Sequence, residues 1–116
     1  MNLSLTLPLP PSVNAMYRVV GRRSILSKDA RDWYASAVPK IAVQADGMVF
    51  DGNVAVDYTF HFPNNSRRDC FNYEKALSDA ITKAGVWGDD CQITDGSVHK
   101  RISKECPRVE VLIRCV

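Results

Sequence analysis

The residues best suited to chemistry lie in two acidic stretches of the chain. The first stretch begins at Asp69 and contains Lys75, and the second ends at Asp89 and Asp90. Carboxylate oxygens are the ligands that Mg²⁺ prefers, and a bound Mg²⁺ polarises a phosphate and activates water. A nearby lysine offsets the negative charge of the transition state. This pattern indicates metal-dependent cleavage of a phosphodiester.

A purely structural interpretation of the same residues is also open. Asp69 is favourable at the start of a helix, Lys75 and Asp79 are spaced as a helical ion pair, and Asp89-Asp90 suits a surface turn. A helix of roughly 15 residues between the two stretches is about 22 Å long. The acidic groups therefore meet only if the second stretch folds back along the helix or the sheet.

The net charge of +2 at pH 7 is too small to indicate a nucleic-acid partner. The distribution of charge is more informative, because basic residues flank the acidic stretches. Those that we expect to contact DNA phosphates are Arg22, Arg23, Arg67, Arg68, Lys100 and Arg101. A basic surround and an acidic pocket are typical of enzymes that cut phosphodiesters, although an ordinary solvated surface shows similar clusters.

Length and composition predict a single globular domain over residues 1–116. Apolar residues make up 46% of the chain, which is enough for one core. The four cysteines form no C-x-x-C pair, which argues against a structural zinc site and for reduced thiols. No secretory signal and no apolar run of about 20 residues is visible. We therefore expect a cytoplasmic protein without a membrane span.

Hydrophobic periodicity predicts an α+β fold with two main helices and a mixed or antiparallel sheet. The first helix is capped by Ser27 and reaches about Ala45, with a kink expected at Pro39. The second helix begins near Asp69 and ends before Gly85. Strands are predicted over residues 3–7, 17–20, 24–26, 54–62, 97–102 and 108–115, with a hairpin around Gly21.

Single aromatic and histidine residues admit simpler explanations than catalysis. Trp87 is predicted to pack in the core under the second acidic stretch, as tryptophan usually does. His61 and His99 lie on predicted strands without a partner at metal-binding spacing, so both are predicted to be partly exposed strand residues.

Three motifs resemble those of the RusA-like Holliday junction resolvases, and they cover almost the whole chain. They read Leu7-Pro8-x-Pro10-Pro11-Ser12-x-Asn14, then Arg68-Asp69-x-x-Asn72-x-x-Lys75-Ala76-x-x-Asp79-Ala80, then Lys83-Ala84-Gly85-x-Trp87-x-Asp89-Asp90. The resemblance implies an Mg²⁺-dependent endodeoxyribonuclease that cuts four-way DNA junctions as a homodimer. It also implies that Asp69 and Asp90 bind the metal and that Lys75 is the essential lysine.

The chain departs from the family motif at Phe71, where the resemblance requires a second aspartate. Phenylalanine cannot bind a metal, and its position lies away from the apolar face of the predicted helix. Residues that can support the site in its place are Asn72, Glu74 and Asp89. The departure leaves two alternatives open: a protein that binds branched DNA without cutting it, and an enzyme acting on RNA or single strands.

Overall fold

Six strands and two α-helices make up the fold, and the computed structural model describes residues 1–116. In chain order the elements are β1 (Asn2–Leu7), β2 (Tyr17–Val20), β3 (Arg23–Leu26), α1 (Lys28–Ala45), β4 (Val54–Phe62), α2 (Glu74–Lys83), β5 (Ile93–Ile102) and β6 (Arg108–Cys115). Short 3₁₀ turns occupy Val13–Ala15, Cys70–Tyr73 and Asp90–Gln92. The predicted α+β class is confirmed.

The main sheet has four strands in the order β1-β6-β4-β5. Strand β6 is antiparallel to both β1 and β4, whereas β5 is parallel to β4. The parallel pair follows from the chain path, because α2 lies on the crossover that leads from β4 to β5. The sheet is therefore mixed, as the sequence predicted.

One face of the sheet forms the core with the two helices. Strand β4 alternates as the sequence predicts, and the side chains that point to this face are Val54, Val56, Tyr58, Phe60 and Phe62. They pack in one cluster with buried residues of α1, such as Trp33 and Ile41, and of α2, such as Leu77 and Ile81. The other face of the sheet carries polar side chains and no helix.

Helix α1 begins as predicted and runs through Pro39 without being divided into two helices. The hydroxyl of Ser27 accepts a 3.2 Å hydrogen bond from the Ala30 N–H, which caps the first turn. The helix ends at Asp46, which adopts a left-handed conformation with φ of 49°. Neither α1 nor α2 combines the length and the apolar character that crossing a membrane requires.

Helix α2 begins at Glu74, later than the predicted start near Asp69. The Asp69 carboxylate accepts a 3.1 Å hydrogen bond from the Phe71 N–H and holds residues 70–73 in a 3₁₀ turn. The Tyr73 ring then packs against Phe62, with 5.1 Å between the ring centroids. The resulting ten-residue helix is about 15 Å long, and the 3₁₀ turn before it spans the remaining distance from Asp69.

The two edges of the sheet differ in how they are covered. On β1, the Gln44 side chain accepts a 2.7 Å hydrogen bond from the Thr6 N–H and donates a 2.9 Å bond to the Thr6 carbonyl. Gln44 thereby satisfies both backbone groups of Thr6 along the outer side of that strand. On the opposite edge, β5 pairs only with β4.

Strands β2 and β3 form a separate two-stranded hairpin, as predicted. Gly21 in its turn has φ of +64°, a conformation that glycine adopts at little cost. Arg22 and Arg23 follow directly, and both are exposed. The hairpin thus presents two of the predicted DNA-contacting residues at its turn.

Candidate active site

The second acidic stretch folds back against α2, which the predicted chemistry requires. Asp89 and Asp90 line an open pocket of about 230 Å³ together with Asp79, Thr82 and Lys83 of the helix. The charges of Asp79 and Lys75 both act on the Asp90 carboxyl. Asp90 and Lys75 are therefore brought into one electrostatic environment, although 14 residues of sequence separate them.

Gln92 fixes the path of the acidic stretch through four hydrogen bonds. Its side-chain oxygen accepts from the N–H groups of Gly88 at 2.9 Å and Asp89 at 3.2 Å. Its side-chain nitrogen donates to the carbonyls of Phe50 and Gly52, each at 2.8 Å. One amide side chain thus ties the stretch to the loop that precedes β4, so its acidic groups are held in place rather than free to move.

Trp87 attaches the same stretch to α2 through its buried ring and one hydrogen bond. Its ring is almost fully buried, and its Nε1–H donates a 2.7 Å hydrogen bond to the Thr82 hydroxyl on α2. The prediction that Trp87 packs in the core is confirmed. Because the stretch is fastened to α2 through this bond, Asp89 and Asp90 keep their place beside the helix.

Asp89 and Asp90 differ in the direction of their pKa shifts. Hydrogen bonding from the Cys91 N–H, at 2.9 Å, lowers the pKa of Asp89, whose side chain caps the short 3₁₀ turn. Hydrogen bonding with Asp89 raises the pKa of Asp90, and burial and the nearby Asp79 charge act in the same direction. The crowding of negative charge at Asp90 is what a bound cation would relieve.

Lys75 and Asp79 form the helical pair that the structural interpretation predicts, with 3.5 Å between Nζ and Oδ2. The pair is not isolated, because the Tyr34 hydroxyl of α1 donates a 3.4 Å hydrogen bond to the same Asp79 oxygen. Burial raises the pKa of Tyr34, with Asp79 adding to the shift, so its hydroxyl stays a donor. Asp79 therefore holds Lys75 on the side of the helix that faces Asp90.

Glu74, in the first turn of α2, lines a different pocket from Asp79, Asp89 and Asp90 and contacts the buried Tyr58. The Tyr58 hydroxyl donates to its carboxylate at 3.5 Å, the long limit for such a bond. Burial raises the pKa of Tyr58, and the charges of Glu74 and Asp90 raise it further. The charge of Glu74 on α2 and the charge of Asp90 in the loop after α2 therefore both raise the pKa of the Tyr58 hydroxyl.

Asp69 lies before α2, outside the pocket that contains Asp79, Asp89 and Asp90. Its side chain is engaged with the Phe71 N–H, and its carbonyl accepts from the Asn72 N–H at 3.0 Å. The side chain of Phe71 is 70% exposed, in agreement with its predicted position outside the core. The structure contains no ready-made group of three histidine, cysteine, aspartate or glutamate side chains arranged to hold a metal.

Part of the predicted basic surround comes together beside Asp69. The Lys100 ammonium on β5 donates a 3.1 Å hydrogen bond to the Arg68 carbonyl. The Arg68 guanidinium lies over the Phe62 ring, 4.8 Å from its centroid. Arg67 and Arg101 are exposed next to these two residues in sequence. Arg22 and Arg23 lie on the separate hairpin.

Sequence reasoning missed the part that two tyrosines play in the site. Tyr34 and Tyr58 are predicted as core residues by their spacing, and both rings are buried. The signal that identifies them is chemical, because a buried tyrosine hydroxyl needs a hydrogen-bond partner. Asp79 and Glu74 are the acceptors that α2 offers.

The uncovered sheet face holds a second polar network, in which neither histidine belongs to a group of three potential metal ligands. The Ser97 hydroxyl donates a 2.6 Å hydrogen bond to Asp57 and lies 3.0 Å from His99 Nε2; this Ser97 contact lowers the pKa of Asp57. His61 Nε2 is 2.9 Å from a Glu110 oxygen but is not aligned for a hydrogen bond. The histidines are strand residues, half-buried at His61 and exposed at His99, as the sequence predicts in outline.

The donor set at Asp90 and its neighbours fits a hard divalent cation. All the candidate ligands are carboxylates, and such ions are usually held by one or two carboxylates with water completing the shell. Asp79, Asp89 and Asp90 line one pocket, and hydrogen bonding with Asp89 raises the pKa of Asp90. The site therefore has suitable ligands for Mg²⁺, without a preassembled third carboxylate.

Comparison with known proteins identifies the family. A family model described as Endodeoxyribonuclease RusA matches residues 8–114. The crossover junction endodeoxyribonuclease RusA of Escherichia coli strain K12 is 35% identical over 112 residues, 95% of this chain and 92% of that protein. The protein of the same name from Enterobacteria phage 82 is 36% identical over 113 residues, 94% of this chain and 91% of that protein. This chain belongs to the RusA family of endodeoxyribonucleases.

Proposed function

We propose that this protein cuts four-way DNA junctions by Mg²⁺-dependent hydrolysis of phosphodiester bonds. The relatives that share its length and motifs are named crossover junction endodeoxyribonucleases. The observation that carries the proposal is the position of Asp90, which the folded-back acidic stretch places beside Lys75 and Asp79. Residues 1–116 act as one catalytic domain in this proposal.

Asp69 and Asp90 are the proposed metal ligands, and Glu74 is the proposed third carboxylate in place of the missing aspartate. A bound Mg²⁺ would polarise the phosphate and lower the pKa of a water ligand. Glu74 is a candidate for this role because it begins α2 directly after the turn that Asp69 caps, and only the Tyr58 hydroxyl, at 3.5 Å, contacts its carboxylate. Asn72 and Asp89 keep structural roles, in the turn after Asp69 and in the cap of the second stretch.

Lys75 is the proposed cationic group at the reacting phosphate. Its ammonium is half-exposed and paired with Asp79, so it is both positioned and accessible to DNA. An ammonium at that point offsets the charge that develops on the phosphate oxygens in the transition state. Asp79 and Tyr34 orient the lysine without contacting the DNA themselves.

The basic residues are the proposed phosphate contacts. Arg67, Arg68, Lys100 and Arg101 would hold the strand that is cut, and Arg22 and Arg23 on the hairpin would reach a flanking duplex. Arginine contacts phosphates with paired donors, which orients the strand as well as attracting it. Binding of this kind weakens steeply as salt is raised.

The test is cleavage of an end-labelled four-way junction in Mg²⁺ by the natural protein, Asp69→Asn and Phe71→Asp. We expect the natural protein to cut and Asp69→Asn to lose at least about 100-fold in rate, because a metal ligand is removed while the fold is retained. Glu105→Gln, on the exposed β5–β6 loop, is the matched control for loss of one negative charge.

Each other outcome has a definite meaning. Cutting only by Phe71→Asp would show that the natural chain binds branched DNA without cleaving it, and Phe71 is the observation that favours this second function. Equal rates for the natural protein and Asp69→Asn would show that the mechanism is wrong. Competition by RNA or single-stranded DNA as strong as by the junction would contradict the proposed substrate.

A further inference from the structure

Phe71 is an exposed aromatic side chain in a fixed position beside the proposed site. Its backbone N–H is held by the Asp69 carboxylate at 3.1 Å, and the next N–H, of Asn72, donates to the Asp69 carbonyl. The ring is nevertheless 70% exposed, while Phe60 and Phe62 nearby are buried. The turn thus presents the ring to solvent on a fixed backbone, an arrangement that favours a binding role.

Phe71 forms one wall of a groove of about 320 Å³ whose lining is mostly apolar. The groove runs between the 3₁₀ turn before α2 and strand β5, and its other lining residues include Val56, Tyr58, Glu74, Ile93 and Val98. Gly96 also lines the groove, with no side chain of its own. A flat apolar group can therefore lie against the Phe71 ring.

The charges around this groove indicate what that flat group is. Arg67 and Arg68 precede Asp69, and Lys100 of β5 is bonded to the Arg68 carbonyl. Lys75 lies one residue after the groove residue Glu74. The charged residue in the groove lining is Glu74, and these cations lie on the segments that adjoin the groove. An apolar surface with positive charge on adjoining segments complements a nucleotide, whose base is planar and whose phosphate is anionic.

We propose that Phe71 stacks on an unpaired nucleobase at the branch point and so contributes to junction selectivity. The inference rests on the proposed function and adds to it the residue that distinguishes a junction from a duplex. An unpaired base at a branch point reaches an aromatic ring at little cost, whereas a base in intact duplex must first leave its stack. The position that would carry a metal ligand in the family motif thus serves substrate recognition in this chain.

The experiment measures affinity with Ca²⁺ in place of Mg²⁺, for the natural protein, Phe71→Leu and Phe71→Tyr. The ligands are a four-way junction, the same junction with one abasic nucleotide at each branch position in turn, and a linear duplex. We expect Phe71→Leu to weaken junction binding about 10-fold, because the free energy of stacking one base corresponds to about this change in affinity. Duplex binding should not change, and Phe71→Tyr should retain the natural affinity.

The abasic series separates stacking from a general loss of fold. The natural protein should lose about 10-fold at one branch position, and Phe71→Leu should lose nothing further there. Val43→Ala, which removes an exposed apolar side chain from α1, is the control and should behave as the natural protein. Far-ultraviolet circular dichroism of each variant reports whether it is folded.

Two results would overturn the inference, and they are distinguishable. If the natural protein prefers the junction to duplex and Phe71→Leu does so equally, Phe71 has no part in selectivity and the proposed function still stands. If the natural protein shows no preference for the junction, both the proposed function and this inference are wrong.

Discussion

At the scale of single residues, hydrogen-bond partners divide the carboxylates around α2 into two kinds. Asp69 and Asp89 accept backbone N–H groups and begin 3₁₀ turns. Glu74 and Asp90 have no backbone partner and act on the Tyr58 hydroxyl. The second kind keeps more of its oxygen lone pairs free for an added ligand, whereas the first must share its oxygens with the backbone.

Glu74 can be tested apart from DNA cleavage. Glu74→Gln should weaken Mn²⁺ binding by roughly 10-fold, because an anionic ligand is replaced by a neutral amide of the same shape. Isothermal titration calorimetry of Mn²⁺ into the protein without DNA measures this change. Glu110→Gln, the same substitution on the uncovered sheet face, is the matched control. Equal affinity of the natural protein and Glu74→Gln would exclude Glu74 as a ligand.

The exposure of single residues is easier to predict from the sequence than the contacts between them. Phe71 is correctly predicted outside the core, because its side chain faces solvent both on the predicted helix and on the observed turn. The meeting of Tyr58 with Glu74 is not predictable, since it joins the middle of β4 to the first turn of α2. Contacts between separate elements depend on packing that periodicity does not encode.

At the scale of elements, the strands are predicted well and the start of α2 is not. Alternation of apolar side chains gives β4 its bounds, and Gly21 gives the hairpin its turn. The start of α2 is wrong by five residues because Asp69 and the packing of Tyr73 stabilise a 3₁₀ turn. Strand β5 begins at Ile93, four residues before its predicted start, since pairing with β4 continues there despite polar side chains.

The close approach of β4 and β5 makes Gly96 a structural requirement. A Cβ at this position would lie 2.8 Å from the Val56 carbonyl oxygen, closer than such atoms approach. Gly96→Ala should therefore lower the free energy of unfolding by about 1–3 kcal/mol, because the strands must shift apart. Urea unfolding followed by circular dichroism measures the change.

Gly52→Ala is the control for this substitution, because no atom lies within 4 Å of the added methyl group and its backbone is not left-handed. It should change the free energy of unfolding by no more than about 0.5 kcal/mol. Equal stability of the two variants would show that the β4–β5 contact adapts to a side chain.

At the scale of the whole molecule, the chemistry is concentrated on one side of the fold. The proposed ligands and Lys75 lie on α2 and the turns beside it, and α2 packs on the covered face of the sheet. The uncovered face carries its own ion pairs, among them Arg114 with Asp57 at 3.0 Å. One molecule therefore presents a single candidate site, so simultaneous cutting of two strands would need two molecules.

The proposed homodimer can be tested directly in solution. Light scattering should give twice the 12.9 kDa mass of one chain at working concentration, because paired cuts in a junction need two identical sites in fixed relation. Addition of a four-way junction should add the mass of one junction to each dimer. A mass of one chain, with or without DNA, would contradict the homodimer that the family resemblance implies.

The unequal edges of the sheet limit how these molecules can associate through their backbones. Gln44 occupies the backbone groups of Thr6 on β1, while the β5 edge has no strand beyond it. A strand that docks onto the sheet by backbone pairing finds β5 without a partner strand, whereas the backbone groups of Thr6 on β1 are already occupied. Two copies that pair through β5 would each cover the open edge of the other, so association of this kind closes at a pair.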